Sequence, residues 1–390
     1  LPKKTTSTLK CFLRVLTKPQ VKHFRVYLIG LIWLIKFHST REIASQIAKL
    51  LPDNLQRFLN GSPKKRKRLQ EANQNLLAQK ANRTEQVLVA IDDTTCSRDG
   101  KHIEGLGIHH SADGLIQGQC AVTCILKMAG ESLAWAVSGY RPKSSCPKSE
   151  FKSKIQLAQE ILRSIRHKIR TSVTVLMDSW YTCAPILIPI IEAGWTFVAA
   201  IKCNRILEVN GTKTVVRHLA KGPRTYKTVR LSRKRKLKVA KRIVHLPKVG
   251  TVLLFITKGG AKETRFLITN KLNMSESEMV KLYSQRFGIE IFHKDIKQHL
   301  AFGHVFMRSW QGVQTHWTLV MIAYNLVTLS APKQLKGFRQ KIRISETLFL
   351  NNICLTVYEI CRTQVNKIRS NVLAAPRKSF SSTCTFAYSK

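Results

Sequence analysis

The order of apolar runs between residues 87 and 201 constrains the fold more than any other feature. Residues 87–91 are fully apolar and run into Asp92-Asp93-Thr94-Thr95. Strand-like runs follow at 119–127 and 132–138, joined by the turn Ala129-Gly130-Glu131, so these three are adjacent antiparallel candidates. Phe151, Ile155, Ala158, Ile161, Leu162, Ile165 and Ile169 then recur at helical spacing. Residues 173–177 form a second buried strand, ending at Asp178. A helix over 183–193, closed by Gly194, leads to a strand over 195–201. The two strands that end in Asp place both acids at strand termini near the centre of a sheet.

Three antiparallel strands, then helix, strand, helix, strand, is the order of a ribonuclease-H-like core, an α/β fold. From residue 203 to about 270 the helices stop. Asn210-Gly211 is a hairpin signal, and residues 226–246 alternate with heavy basic content. Seven of the ten residues from Arg233 to Arg242 are Lys or Arg. Runs at 251–257 and 263–270 flank Gly259-Gly260 as a further hairpin. The core therefore carries a β-rich insertion over about 204–262.

The first 80 residues read as helical, with an apolar helix over 21–37. A capping box at Ser39-x-x-Glu42 opens a second helix, and a short helix runs through Leu55, Phe58 and Leu59 beyond Pro52. Two short helices across a tight break fit a helix-turn-helix and generic packing alike. Lys64-Lys65-Arg66-Lys67-Arg68, after Gly61-Ser62-Pro63, fits a solvated linker, but the charge of the whole chain favours phosphate contact. The expected organisation is a helical DNA-binding domain over 1–80, the catalytic domain over 81–330, and a basic helical region with a loose tail over 331–390.

Lys and Arg number 66 against 22 Asp and Glu, a formal charge of +44. A polyanionic partner is the direct physical reading, with nucleic acid first and anionic membrane second. The ten-residue apolar run at 26–35 is short of the roughly 20 residues a membrane span needs. No secretory signal is evident, so a cytoplasmic, nucleoid-associated protein without membrane is expected. The ten cysteines form no CxxC pair and read as reduced thiols.

The stretch 281–300, KLYSQRFGIEIFHKDIKQHL, carries the remaining chemistry. On one helix at about 100° per residue, Tyr283, Arg286, Glu290 and Lys297 share a narrow stripe. Leu282, Ile289, Phe292, Ile296 and Leu300 form the apolar face beside it. Asn273 with Glu276, or Ser275 with Glu278, would cap the start, and Gly288 marks a close approach. The spacing Tyr-(2)-Arg-(3)-Glu-(6)-Lys resembles the signature of bacterial DDE transposases of insertion sequence family four.

The resemblance covers roughly residues 85–330. It implies a cut-and-paste transposase, with Asp93, Asp178 and Glu290 as catalytic metal ligands. Asp92 competes with Asp93. In that family the first acid follows another acid and precedes Thr, which selects Asp93. Two Mg²⁺ ions, with Mn²⁺ able to substitute, suit a carboxylate set. Arg286 and Lys297 would hold phosphates near the cut, and Tyr283 a phosphate or a ligated carboxylate. Arg233, Lys234, Arg235 and Lys236 would contact DNA from the insertion. Implied partners are double-stranded DNA, both transposon ends and target, and a second copy of the chain bridging two ends. The rival readings are a nuclease of the same core without strand transfer and a non-enzymatic DNA-binding protein descended from a transposase.

Overall fold

A computed structural model describes residues 3–34, 39–48, 51–111, 114–221, 225–231, 236–259, 263–304, 307–332, 334–335 and 337–344. The chain opens with helices α1 (Lys3–Leu13), α2 (Lys18–Trp33), α3 (Thr40–Ile43), α4 (Pro52–Leu59) and α5 (Pro63–Ala81). Ser39 caps α3 by accepting the Glu42 N–H at 3.0 Å, the first half of the expected box. The apolar run at 26–34 lies in and just past α2. Among the described residues no helix is long and apolar enough to cross a membrane.

The basic run 64–68 is not a linker. Ser62 caps α5 and Pro63 takes its first turn, where a missing N–H costs nothing. Lys65 is buried, donating to the Phe58 carbonyl with its ammonium 3.9 Å from the Phe58 ring centroid. Burial lowers its pKa to about 8.

Strands β1 (Gln86–Ser97), β2 (Gly107–Ser111), β3 (Gly114–Met128) and β4 (Glu131–Tyr140) follow. Then come α6 (Lys154–Arg166), β5 (Ser172–Met177), α7 (Ala184–Glu192) and β6 (Thr196–Ala200). Their spatial order is β4-β3-β1-β5-β6, antiparallel through β1 and parallel from β1 to β6. Strand β2, on the free stretch of β3, was not foreseen. Its sequence, GIHHS, has no apolar alternation to announce it.

The insertion, expected over about 204–262, reaches Thr269 and comprises β7 (Ile206–Val209), β8 (Thr212–Val215), β9 (Lys227–Arg230), β10 (Lys236–Leu246), β11 (Gly250–Gly259) and β12 (Glu263–Thr269). Asn210 and Gly211 both take positive φ, 50° and 75°, as a tight two-residue hairpin requires. Strand β12 pairs antiparallel with β6, so the insertion continues the core sheet rather than forming a separate lobe. Arg233, Lys234 and Arg235 lie outside the described residues. Lys236 opens β10, exposed.

Helices α8 (Glu276–Ser284), α9 (Phe287–His299) and α10 (Trp310–Ser330) follow, and residues 338–344 are helical again. Ser275 caps α8 by accepting the Glu278 N–H at 3.1 Å. The single helix expected over 281–300 is broken at Gln285-Arg286. There the N–H groups of Gln285, Arg286, Gly288 and Ile289 bond three residues back instead of four, a tighter turn that separates α8 from α9. Tyr283 and Glu290 therefore lie on different helices. The approach expected at Gly288 is real: a Cβ there would sit 3.1 Å from Lys127 Cδ on β3. Beyond residue 344 the expected basic helical region and its loose tail lie outside the described residues.

The sheet is covered on both faces. Val87, Val89 and Ile91 of β1 pack with α6 and α7. Ala90, Leu176 and Val198, one residue out of step, pack with Ile289 and Phe292 of α9 and with α10. The N-terminal helices share that second core, and Tyr27 hydrogen-bonds His316 of α10 at 2.7 Å. Asn325 of α10 accepts the Ala134 N–H at 2.7 Å and donates to the Ala134 carbonyl and to Asn73 Oδ1, each at 2.8 Å. This buried network joins α5, α10 and β4.

Candidate active site

Strands β1 and β5 run parallel with Ala90 opposite Leu176. Two residues further, on the same face, stand Asp92 and Asp178. Thr123, directly across β3 from Asp92, joins that face and hydrogen-bonds His293 Nε2 of α9 at 2.7 Å. The turn before α9 delivers Arg286. Its Nη1 lies 3.2 Å from Asp92 Oδ2, and its Nη2 bonds the Glu290 carboxylate one turn along. One guanidinium thus ties the helix acid to an acid inside β1, which runs on to Ser97 instead of ending at Asp92 as expected.

Asp178 is held differently. Its Oδ1 accepts the N–H groups of Trp180 at 2.9 Å and Tyr181 at 3.3 Å. Lys297, the last residue of the signature, donates to the Thr95 carbonyl at 2.8 Å and so ties α9 to the end of β1. Tyr283, half-buried, has its ring centroid 5.8 Å from the Arg286 guanidinium carbon.

Asp93 faces the other way. Successive strand residues point to opposite faces, which puts Asp93 with Val89 and Ile91 on the side of α6 and α7. There its Oδ2 receives Lys154 at 2.6 Å and Cys120 Sγ at 3.5 Å, and its Oδ1 the Tyr181 hydroxyl at 3.0 Å. Of the two adjacent aspartates, it is Asp92 that the structure brings together with Asp178, Arg286 and Glu290.

The carboxylates act on one another, and the Asp93 charge also reaches Asp178 and His293. Burial first, then the charges of Asp178 and Asp93, push the Asp92 carboxyl up to about 7, against the pull of Arg286. Burial likewise raises Asp178, while its two backbone N–H partners oppose the shift. Such crowded, desolvated carboxylates create a demand for positive charge. Burial, followed by the Lys297 charge, lowers His293 to about 3, so this imidazole stays neutral at ordinary pH.

Among the described residues no three His, Cys, Asp or Glu side chains are gathered as a ready ion-binding cluster. The available donors, Asp92, Asp178 and Glu290, are all carboxylate oxygens, the set a hard divalent cation prefers. Arg286 occupies the position between the first and third of them. Beside these groups a cavity of about 590 Å³ opens between α8–α9 and the insertion, lined by Tyr283, Arg286 and Glu290 with Leu237, Arg265 and Leu267.

Thr123, His293, Lys154 and Tyr181 were not singled out from the sequence. Tyr181 and His293 each lie three residues after a candidate acid, a weak signal. Lys154 and Thr123 carry none.

Residues 151–326 match the family model of the transposase DDE domain. The matched segment contains Asp178 and Glu290 and begins after β1, so it spans neither Asp92 nor Asp93. No curated protein matches the chain. The match supports reading the chain as a DDE transposase, an enzyme class that cuts and joins DNA and generally depends on divalent metal.

Proposed function

We propose that the chain is a cut-and-paste DNA transposase with a ribonuclease-H-like core. It cleaves at the ends of a mobile element and joins the freed 3′-hydroxyl to target DNA. One observation carries this reading: Asp92 within β1 and Asp178 just past the end of the neighbouring parallel β5 share one face, and Arg286 links Asp92 to Glu290 on α9. The strand order, the charge of +44 and the domain match support it. The four-residue signature resembling insertion sequence family four also supports it.

In this reading the first acid is Asp92, and Asp93 braces β1 against α6 through Lys154. Asp92, Asp178 and Glu290 would hold the metal, Mg²⁺ or Mn²⁺. When bound, two such ions lower the cost of the attacking and leaving oxygens. The chain's own groups do the rest. Arg286 supplies a planar fork that suits phosphate as well as carboxylate. It lines the cavity with Tyr283, where the scissile strand is held. Neutral His293 anchors α9 to Thr123 without adding charge. Lys297 fixes the far end of the same helix. A basic insertion and a dimer holding two ends complete the assembly.

The test uses the full-length protein and a supercoiled plasmid bearing the DNA that flanks its reading frame. Mg²⁺ should produce cut and joined products, and EDTA should abolish them. Nicks without joining would select the nuclease. DNA binding without cleavage in Mg²⁺ or Mn²⁺ would select the non-enzymatic protein.

A further inference from the structure

Arg286 spends both terminal nitrogens on carboxylates. Nη1 reaches Asp92 Oδ2 at 3.2 Å, and Nη2 reaches Glu290 Oε1. Its side chain is 17% exposed, so these contacts are sheltered from water. The other oxygen of Asp92, Oδ1, accepts the Asp93 N–H at 2.9 Å. Both oxygens of Asp92 are therefore engaged, one by backbone and one by a cation. A divalent ion held between Asp92 and Glu290 needs the oxygens that Arg286 holds, and it meets a positive charge there. Guanidinium and metal compete for one seat.

The guanidinium has a second seat within reach. Arg286 and Tyr283 both line the cavity of about 590 Å³ between α8–α9 and the insertion, and Arg265 of β12 lines it with them. The Tyr283 ring centroid already lies 5.8 Å from the guanidinium carbon. A phosphate in that cavity presents paired oxygens, which a planar fork grips as it grips a carboxylate. Such a phosphate would hold Arg286 and leave Asp92 and Glu290 without their cation.

We propose that Arg286 is an electrostatic latch on the metal seat. While it bridges Asp92 and Glu290, divalent metal binds there weakly. A DNA phosphate entering the cavity takes the guanidinium and frees both carboxylates, so metal binds tightly only beside seated DNA. Two ligands that favour the same position of one side chain help each other, and by linkage each raises the other's affinity by the same factor. The latch keeps a metal-charged cleaving centre from forming on the free chain. This inference rests on the transposase reading and adds to it the residue that couples DNA to metal.

The test is a Mn²⁺ titration of the full-length protein, read by the paramagnetic resonance of the free ion. It is run without DNA and with a duplex copied from the DNA that flanks the reading frame. Ions taken up by the duplex alone are subtracted. Without DNA, Arg286→Ala should bind Mn²⁺ at least about tenfold more tightly than wild type, the factor that one hydrogen bond to a charged group supplies. The duplex should tighten Mn²⁺ about tenfold in the wild type and by no more than about twofold in Arg286→Ala. Arg286→Lys keeps the charge but has no fork to span two carboxylates. It should also bind Mn²⁺ more tightly than wild type without DNA, and it decides the matter if Arg286→Ala does not fold. Wild-type Mn²⁺ affinity in Arg286→Ala would overturn the latch. So would wild-type affinity in Arg286→Lys, since net charge alone would then be at work, or equal tightening by the duplex in all three proteins. If none of the three binds Mn²⁺ in either condition, the carboxylates hold no metal and the transposase reading falls as well.

Discussion

Asparagine at position 92 and asparagine at position 93 should have opposite effects on stability and on cleavage, although the residues are neighbours. Consider Asp92 first. Its carboxyl rises from an ordinary 3.8 to about 7 in the fold. Between those values the native state binds more protons than the unfolded chain. Stability therefore falls as pH rises from about 4 to about 7, and the loss is complete above that. A rise of this size is worth at most about 4 kcal/mol, and the lost Arg286 contact offsets part of it. Asp92→Asn removes the burdened charge, so at pH 8 this variant should be at least as stable as wild type. Its stability should also be flatter between pH 4 and 7.

Asp93→Asn breaks the 2.6 Å pair with Lys154, whose two side chains are 21% and 19% exposed, and leaves the ammonium short of a partner. A loss of about 1–3 kcal/mol follows. Denaturant melts at pH 5 and pH 8 measure both effects. Mg²⁺ should raise the melting point of the wild type by preferential binding to the native state, and should do so far less for Asp92→Asn. Plasmid cleavage completes the comparison: Asp92→Asn should be inactive, and Asp93→Asn active at temperatures where it is folded. A folded, inactive Asp93→Asn beside an active Asp92→Asn would refute the reasoning and restore Asp93 as the first acid.

Glu290→Gln should abolish cleavage while gel-shift affinity holds, since Gln keeps the shape but not the charge that holds a hard cation. Asp295→Asn is its control. Asp295 lies on the same helix, near Lys294 and Lys341, and its variant should cut at close to the wild-type rate. DNA affinity should fall steeply with salt, and replacing Arg233, Lys234, Arg235 and Lys236 with Ala should cut the log–log slope by up to about 4; an unchanged slope would mean that the run is only solvated surface. Asn325→Ala should cost about 2–4 kcal/mol in a urea melt, because Asn73 Oδ1 and the Ala134 N–H lose buried partners. A loss under 0.5 kcal/mol would show that water replaces the amide.

Local sequence determined more of this molecule than its modest motif content suggests. Runs of apolar residues and turn signals located β4, β5, β6, α6 and α7 to within a few residues, because strand and helix periods are written in neighbouring side chains; β1 and β3 were found but cut short, since β1 runs on to Ser97 and β3 starts at Gly114 through polar residues. Asn210-Gly211 located its hairpin for the same reason: positive φ is a property of two residues. The spacing Arg286-(3)-Glu290 was enough to foresee that the two share a face, since one helical turn joins them. Three matters needed the tertiary structure. The first is which aspartate faces α9. A strand buried on both sides, as at 87–91, shows no polar alternation, so only the packing of α6 and α9 distinguishes Asp92 from Asp93. The second is the break at Gln285-Arg286. Its amides trade four-back bonds for three-back ones where Arg286 reaches across 194 residues of chain to Asp92, a contact absent from any local window. The third is the continuity of the insertion with the core. Pairing of β12 with β6 is decided by backbone hydrogen bonds between distant segments, and backbone groups carry no sequence signature.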